Sequence, residues 1–360
     1  MTQSAAAGSA HRVDPAQPAA LSPRRARSLP GRAVILVVLA AVLVLGLGLS
    51  LRVGSLTVSW REAWDAIFAY PGDDQATNGE IVVRTLRVTR TIAGFAAGVS
   101  LGVTGVLMQG LTRNPLADPG ILGITAGAAL AISATVVLGH AGVTTYIWFA
   151  FVGAAVAGVL VYVLGSLGGG ATPVKLALAG AIVTAFAGAL SSAFGVISPS
   201  VVEVGRFWSA GSIATIDPNN VAAVAPFLAV GLVLAMGTGR MLNGLALGDE
   251  IARSLGQRVG TTRAVVSLAV ILLAGGATAL AGPIAFLGLM VPHAARFLVG
   301  PDYRWIVPTA VLLGPCVLLL ADVTGRIVAG ASEIQVGIMT AVIGGPVFVF
   351  LVRRRVVGDL

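Results

Sequence analysis

Lys175 is the only lysine in the chain, so nucleotide chemistry is tested there first. A phosphate-cradling loop of the form G-x-x-x-x-G-K-[ST] needs a hydroxyl residue after its lysine to reach magnesium. Lys175 follows GGGATPV and precedes Leu176, so the loop is absent. The three histidines, His11, His140 and His293, are far apart and have no carboxylate or thiol at ligand spacing, which speaks against a metal or haem site. No nucleophile, base and acid stand together, and an enzyme reading has almost nothing to rest on.

The chemistry that remains is that of docking. Residues 240–263, RMLNGLALGDEIARSLGQRVGTTR, form a polar island between two apolar stretches. Leu247, Ile251, Leu255 and Val259 recur every four residues, predicting a short helix with a narrow apolar stripe beside Asp249, Glu250, Arg253 and Arg258. Asp249 suits the N-cap, Glu250 the positive start, Arg253 the negative end and Gly256 a left-handed stop. Such a helix is a compact knob to show to a partner.

The elements that carry this knob follow from composition. With 56% hydrophobic and 11% charged residues and a mean hydropathy of +0.94, the chain has too little polar surface for a soluble globule. It reads as an all-α polytopic membrane protein. A helical span takes about 20 apolar residues, and about ten runs come near that length. The second covers residues 91–111, the shortened eighth 283–298 and the ninth 306–320. With the N-terminus inside, the inner segments hold most of the arginines, as the positive-inside rule asks, so both termini are expected in the cytoplasm. The net charge of +8 then reflects membrane topology, and nucleic acid is not an expected partner.

Residues 1–32, rich in Ala, Pro, Ser and Arg, read as a disordered cytoplasmic tail, residues 33–353 as the membrane domain, and residues 354–360 as a cytoplasmic end. The first apolar run is read as an uncleaved span, since no clear small-residue cleavage site precedes the polar loop after it. Cys316 stands alone and reads as a small buried hydrophobe. In the outer segment, TVSWREAWDAIF predicts an interfacial helix with Trp60 and Trp64 on one face. Glycines at small-residue spacing, Gly94, Gly98, Gly102 and Gly105, predict close helix contact.

TRNPLADPGILG and AGPIAFLGLMVPHAARFLVGPDYR interrupt apolar sequence with irregular backbone, which is tolerated at membrane depth only where protein buries it or a cavity hydrates it. Two five-span units of opposite direction would account for the pair, although the halves share little sequence. By these boundaries the spans hold almost no ionisable groups to couple protons or sodium, and Asp322 and Arg326 fall at a span end as a local helical pair. The energy for transport is therefore expected from a separate subunit.

At this point six ordered blocks resemble one family. They are LRVTR from Leu86, GVLMQGLTRNPLADPGILGITAGA from Gly105, LALGDEIARSLG from Leu245, GPIAFLGLMVPHAARFLVGPDYR from Gly282, LLLADVTGR from Leu318 and EIQVGIMTAVIGGPVFVFLV from Glu333. Together they look like the permease subunits of type II ATP-binding-cassette importers for iron-siderophore, haem and cobalamin, the FecCD-like permeases. The resemblance implies the type II importer permease fold and two copies, identical or related. It also implies two cytoplasmic ATPase subunits, one extracytoplasmic binding protein and a place in the bacterial cytoplasmic membrane. No cofactor is expected on this chain, ATP and magnesium belonging to the ATPase.

In such permeases the loop between the sixth and seventh spans docks into a groove of the ATPase. Leu245, Ala246, Leu247, Gly248, Asp249, Glu250, Ala252, Leu255 and Gly256 fall on that motif. Arg87, Arg90 and Arg326 match arginines that receive acidic residues of the binding protein. The pathway, lined by the fifth and tenth spans in such permeases, gives Gly180, Thr184, Gly188, Ser191 and Ser192 with Thr340, Gly344 and Gly345 as candidates. The family often has proline where Thr89 and Gln335 stand. Iron-siderophore import is the expected task, with haem or cobalamin import, or an ion-coupled carrier, as alternatives.

Overall fold

The computed structural model describes residues 29–139, 143–168, 171–330 and 334–358. Among them every regular element is helical: α1 (Leu29–Arg52), α2 (Trp60–Phe68), α3 (Asn78–Val82), α4 (Val88–Thr112), α5 (Ile124–Val137), α6 (Val143–Ser166), α7 (Pro173–Ile197), α8 (Pro199–Ser209), α9 (Pro218–Gly237), α10 (Gly239–Ala246), α11 (Asp249–Ser254), α12 (Val259–Ala281), α13 (Leu287–Val299), α14 (Tyr303–Ala329) and α15 (Val336–Gly358). A π-helical turn, Val83–Arg87, joins α3 to α4, and a 3₁₀ turn, Pro119–Leu122, precedes α5. Of the expected tail, residues 1–28 lie outside the described residues, and residues 29–32 already belong to α1. The expected cytoplasmic end begins inside α15, which runs on through residue 358.

Seven described helices are long and apolar enough to cross a membrane, and three shorter apolar ones, in α5, α13 and α15, accompany them. These match the apolar runs of the sequence, with two shifts that matter. The second span does not start at residue 91, because helix is continuous from Asn78 to Thr112. The ninth does not stop at residue 320, because α14 continues to Ala329 and takes Asp322 and Arg326 inside it.

Successive spans alternate in direction. Arg87, at the head of α4, donates to the carbonyl of Leu51 at the foot of α1 (3.0 Å). Arg326, near the foot of α14, donates to the carbonyl of Ser50 (2.8 Å). This is the arginine end. At 1.5 Å rise per residue, the 25 residues of α4 carry the chain about 37 Å to the opposite, knob end. There Arg113, just past α4, lies 3.4 Å from Asp249 of α11.

The tightest packing is between α4 and α14, and glycine makes it possible. A Cβ on Gly98 would sit 2.5 Å from Pro315 Cα, and one on Gly314 would sit 2.1 Å from the Gly98 carbonyl oxygen. Gly94 faces Leu319 and Gly105 faces the backbone of Gly288. The small-residue spacing is thus a packing seam.

The two halves, α1 with α4–α7 and α9 with α12–α15, repeat one order of lengths. Their third spans, α5 and α13, are short, 14 and 13 residues. Each follows irregular backbone ending in a left-handed residue, Gly123 at φ 67° and Phe286 at φ 65°. Because α1 leaves from the knob end and α9 arrives there, the halves run in opposite senses, the arrangement of inverted repeats. Their irregular segments meet in the bundle: a Cβ on Gly288 would lie 3.1 Å from the Pro119 ring and 3.2 Å from Asp118 Oδ2.

Candidate functional site

The knob is built by α10 and α11. Along α10, Leu242 and Leu245 are buried, and two side chains fix the helix to its neighbours. Gln257 Nε2 donates to the Met241 carbonyl (2.8 Å) and to Thr262 Oγ1 (3.0 Å). The Asn243 amide donates to Asp302 (2.7 Å) and accepts from the Tyr303 backbone N–H (2.9 Å). Asp302 caps α14 and binds Arg304. Burial pushes the Asp302 carboxyl up, but the Arg304 guanidinium, the Asn243 amide and the Arg304 backbone N–H outweigh it and hold it at about 2.

Between the two helices Gly248 takes φ 105° and ψ 155°, a region essentially closed to residues with a Cβ. Asp249 is therefore the first residue of α11 and not its side-chain N-cap, a correction to the expected start. At the other end Gly256 has φ 82°, its N–H donates to the Arg253 carbonyl, and that of Gln257 donates to the Ala252 carbonyl, both at 2.9 Å. These are the two bonds of a Schellman stop, as Gly256 leads one to expect. Ala252 packs inward, whereas Leu247, Ile251 and Leu255 are 57%, 51% and 69% exposed. These three large apolar side chains stand exposed on a segment that also carries Asp249, Glu250 and Arg253, which makes them a candidate contact surface. Ala246 and Glu250 are exposed as well, but Val259 is buried in α12 and leaves the stripe.

Asp249 is the electrostatic centre. Arg263 Nη2 donates to both its oxygens (3.0 and 2.8 Å), with Arg113 at 3.4 Å and Arg253 at 3.6 Å. Arg263 is buried and also donates to the Ala171 carbonyl before α7. Arg113 holds left-handed backbone, φ 51° and ψ 29°, which costs an L-residue about 1–2 kcal/mol.

At the other end, the arginines expected to receive a binding protein are turned inward. Arg87, Arg90 and Arg326 are all buried. Arg90 donates to Asp322 (Nη2 to Oδ1, 2.7 Å), and Arg326 binds the same carboxylate and also the Val53 carbonyl (2.7 Å). Asp322 is 0% exposed, so the pair expected to be local and helical is a buried three-membered cluster joining α4 to α14 and, through Ser50, to α1. The exposed arginines described at this end are instead Arg61, Arg206 and Arg84, the last with its guanidinium on the Ala66 carbonyl and over the Tyr70 ring. The expected interfacial helix is α2, started by the Ser59–Glu62 capping box, with Trp64 and Phe68 outward and Ala63 and Ala66 inward.

The pathway candidates divide. Thr184, Gly188 and Ser192 lie exposed on α7, and Ser191 and Gly345 are half-buried. Gly180, Thr340 and Gly344 are buried; Thr340 donates to the Gly337 carbonyl (2.9 Å), and a Cβ on Gly344 would meet Phe286 at 2.8 Å. Those three are buried within this chain. A cavity of about 430 Å³ lies where the broken segments meet, bordered by Asp118, Pro119, Gly120, Pro283, Gly288 and Val342. Sequence reading found both segments but not the cavity, since nothing in either one encodes their apposition.

Comparison with known proteins agrees with this architecture. A family model described as the FecCD transport family matches residues 41–354. The ferric enterobactin permease FepD of Escherichia coli is 41% identical over 336 residues, 93% of this chain and 97% of that protein. The Fe(3+)-citrate import permease YfmD of Bacillus subtilis is 39% identical, covering 91% and 97%. The hemin permease HmuU of Yersinia pestis is 33% identical, covering 89% and 94%. Among solved structures, one described as an inward-facing metal-chelate type ABC transporter superposes with a TM-score of 0.76 at 27% identity, covering 89% of this chain and 99% of that one.

Proposed function

The chain belongs to the FecCD transport family, and on that basis we propose that it is the membrane permease of an ABC importer that brings an iron-siderophore complex into the cytoplasm. The enterobactin and iron-citrate permeases, at 41% and 39% identity, stand above the hemin permease at 33% and a cobalamin permease at 36%, while two other iron permeases fall at 34% and 35%. The observation that carries the mechanism is the exposed apolar triplet Leu247, Ile251 and Leu255, mounted on a rigidly tied helix pair.

The permease pairs with a second copy or a related chain. Two ATPase subunits seat on the knob ends, which face the cytoplasm together with both termini of a protein in the bacterial cytoplasmic membrane. ATP and magnesium stay on the ATPase, and this chain holds no cofactor of its own. A binding protein docks at the arginine end through exposed groups such as Arg61, Arg84 and Arg206, while the buried Arg87, Arg90 and Arg326 stiffen the platform beneath them.

Co-expression with the cognate ATPase and purification through a tag on the permease tests this reading. The ATPase should co-purify with the native chain and be lost from Leu255→Glu while the permease still inserts. Equal recovery with both would remove the knob as the docking site. Mass spectrometry of the ligand on the co-purified binding protein identifies the cargo.

A further inference from the structure

Asp249 stands between two routes to the central cavity. One passes through Arg113, 3.4 Å away. Arg113 is the left-handed residue that ends α4 and begins the irregular segment 113–123. After it the Asn114 side chain accepts from the Leu116 N–H (2.9 Å) and the Asn114 carbonyl accepts from the Ala117 N–H (3.1 Å). That stiff turn delivers Asp118, Pro119 and Gly120 to the cavity wall. The other route passes through Arg263 into α12, whose far end leads to Pro283 and Ile284 on the same wall. A short helix docked in a motor subunit is thus wired to both broken segments at once.

The two routes differ in kind. Arg263 is buried and bound on both sides, so its link is a fixture. Arg113 is 39% exposed on its side chain and has one long ion pair, and it ends α4 in the left-handed conformation that such a stop usually gives to glycine. Such backbone in a residue other than glycine persists where the surroundings impose it, and it is characteristic of switch regions. Its guanidinium also passes close to Gly248, the pivot between α10 and α11: a Cβ there would lie 3.7 Å from Arg113 Nη1.

We propose that Arg113 is a positioning residue: its ion pair with Asp249 transmits the displacement of docked α11 to the 113–123 segment and so sets whether the central cavity is open. This rests on the importer reading and adds to it the link between motor and pathway. The pair is adjustable because it is long and partly hydrated, whereas the Arg263 pair keeps α11 attached throughout the cycle.

The test uses the full complex of permease, ATPase and binding protein in proteoliposomes, measuring iron-chelate uptake per ATP hydrolysed. Arg113→Gly suits the left-handed backbone, so it removes the ion pair without disturbing the turn. It should retain ATPase association and ATP hydrolysis but lower uptake per ATP by about fivefold or more, the lower range of a coupling free energy between sites. Arg113→Lys, keeping the charge, should restore most of the ratio. A second readout is independent of cargo: a cysteine replacing Thr125 on the cavity wall should change its maleimide reactivity on trapping nucleotide, and Arg113→Gly should abolish the change. An unaltered ratio and an unaltered labelling response in Arg113→Gly would overturn the proposal, as would equal loss of ATPase association in both variants. Absence of ATP-dependent uptake in the native complex would instead overturn the importer reading itself.

Discussion

Asp322 shows how much a single side chain can decide in this molecule. It is fully buried and is the carboxylate shared by Arg90 and Arg326, each also buried. Removing one member of such a set leaves uncompensated charge, at a cost of roughly 3–5 kcal/mol. Asp322→Ala should therefore lower the thermal stability of the purified permease markedly. Were these arginines an exposed docking surface, the melting temperature would be nearly unchanged. Gly248 is decisive in another way, through backbone alone. With φ 105° and only the Arg113 tip near a built Cβ, Gly248→Ala has space but not conformation. It should weaken ATPase association while leaving the membrane domain intact, as read by co-purification against thermal stability.

At the scale of elements, the knob is rigid because each helix is tied to a span. Asn243 and Gln257 bind α10 to α14 and α12, and Asp249 binds α11 to α12. Asn243→Ala leaves the Tyr303 N–H without its acceptor and Asp302 without the amide. It should reduce ATP-driven uptake more than ATPase association, since a loosened knob still binds but transmits less. The Asp302 part of this tie has a defined pH window. Its folded pKa lies below the ordinary 3.8, at about 2, so its stabilisation is complete above pH 3.8 and fades only as pH falls toward 2. From pH 5 to 8, association measured by co-purification should show no step attributable to it.

Much of this scale was legible beforehand. The apolar stripe of Leu247, Ile251 and Leu255 and the stop at Gly256 follow from local periodicity and punctuation, and both broken segments announced themselves by Pro and Gly. The partners of Asp249 were not legible. Arg113 is 136 residues distant in sequence by simple numbering, and no local pattern encodes such a pairing. The arginine end misled for a related reason: charged residues near a span boundary look exposed until a partner such as Asp322 draws them in.

The whole molecule is a pair of oppositely directed halves whose broken segments meet at one cavity, with the exposed α10–α11 knob at one end and a platform braced by buried arginines at the other. On the importer reading proposed above, a separate ATPase supplies the energy and the knob is where force enters. The most direct test is iron-siderophore uptake into proteoliposomes holding the purified permease, with ATPase, binding protein and ATP added in combinations. Uptake should require all three and should vanish in Leu255→Glu. Uptake by the permease alone, driven by a proton or sodium gradient without ATPase, would contradict the account.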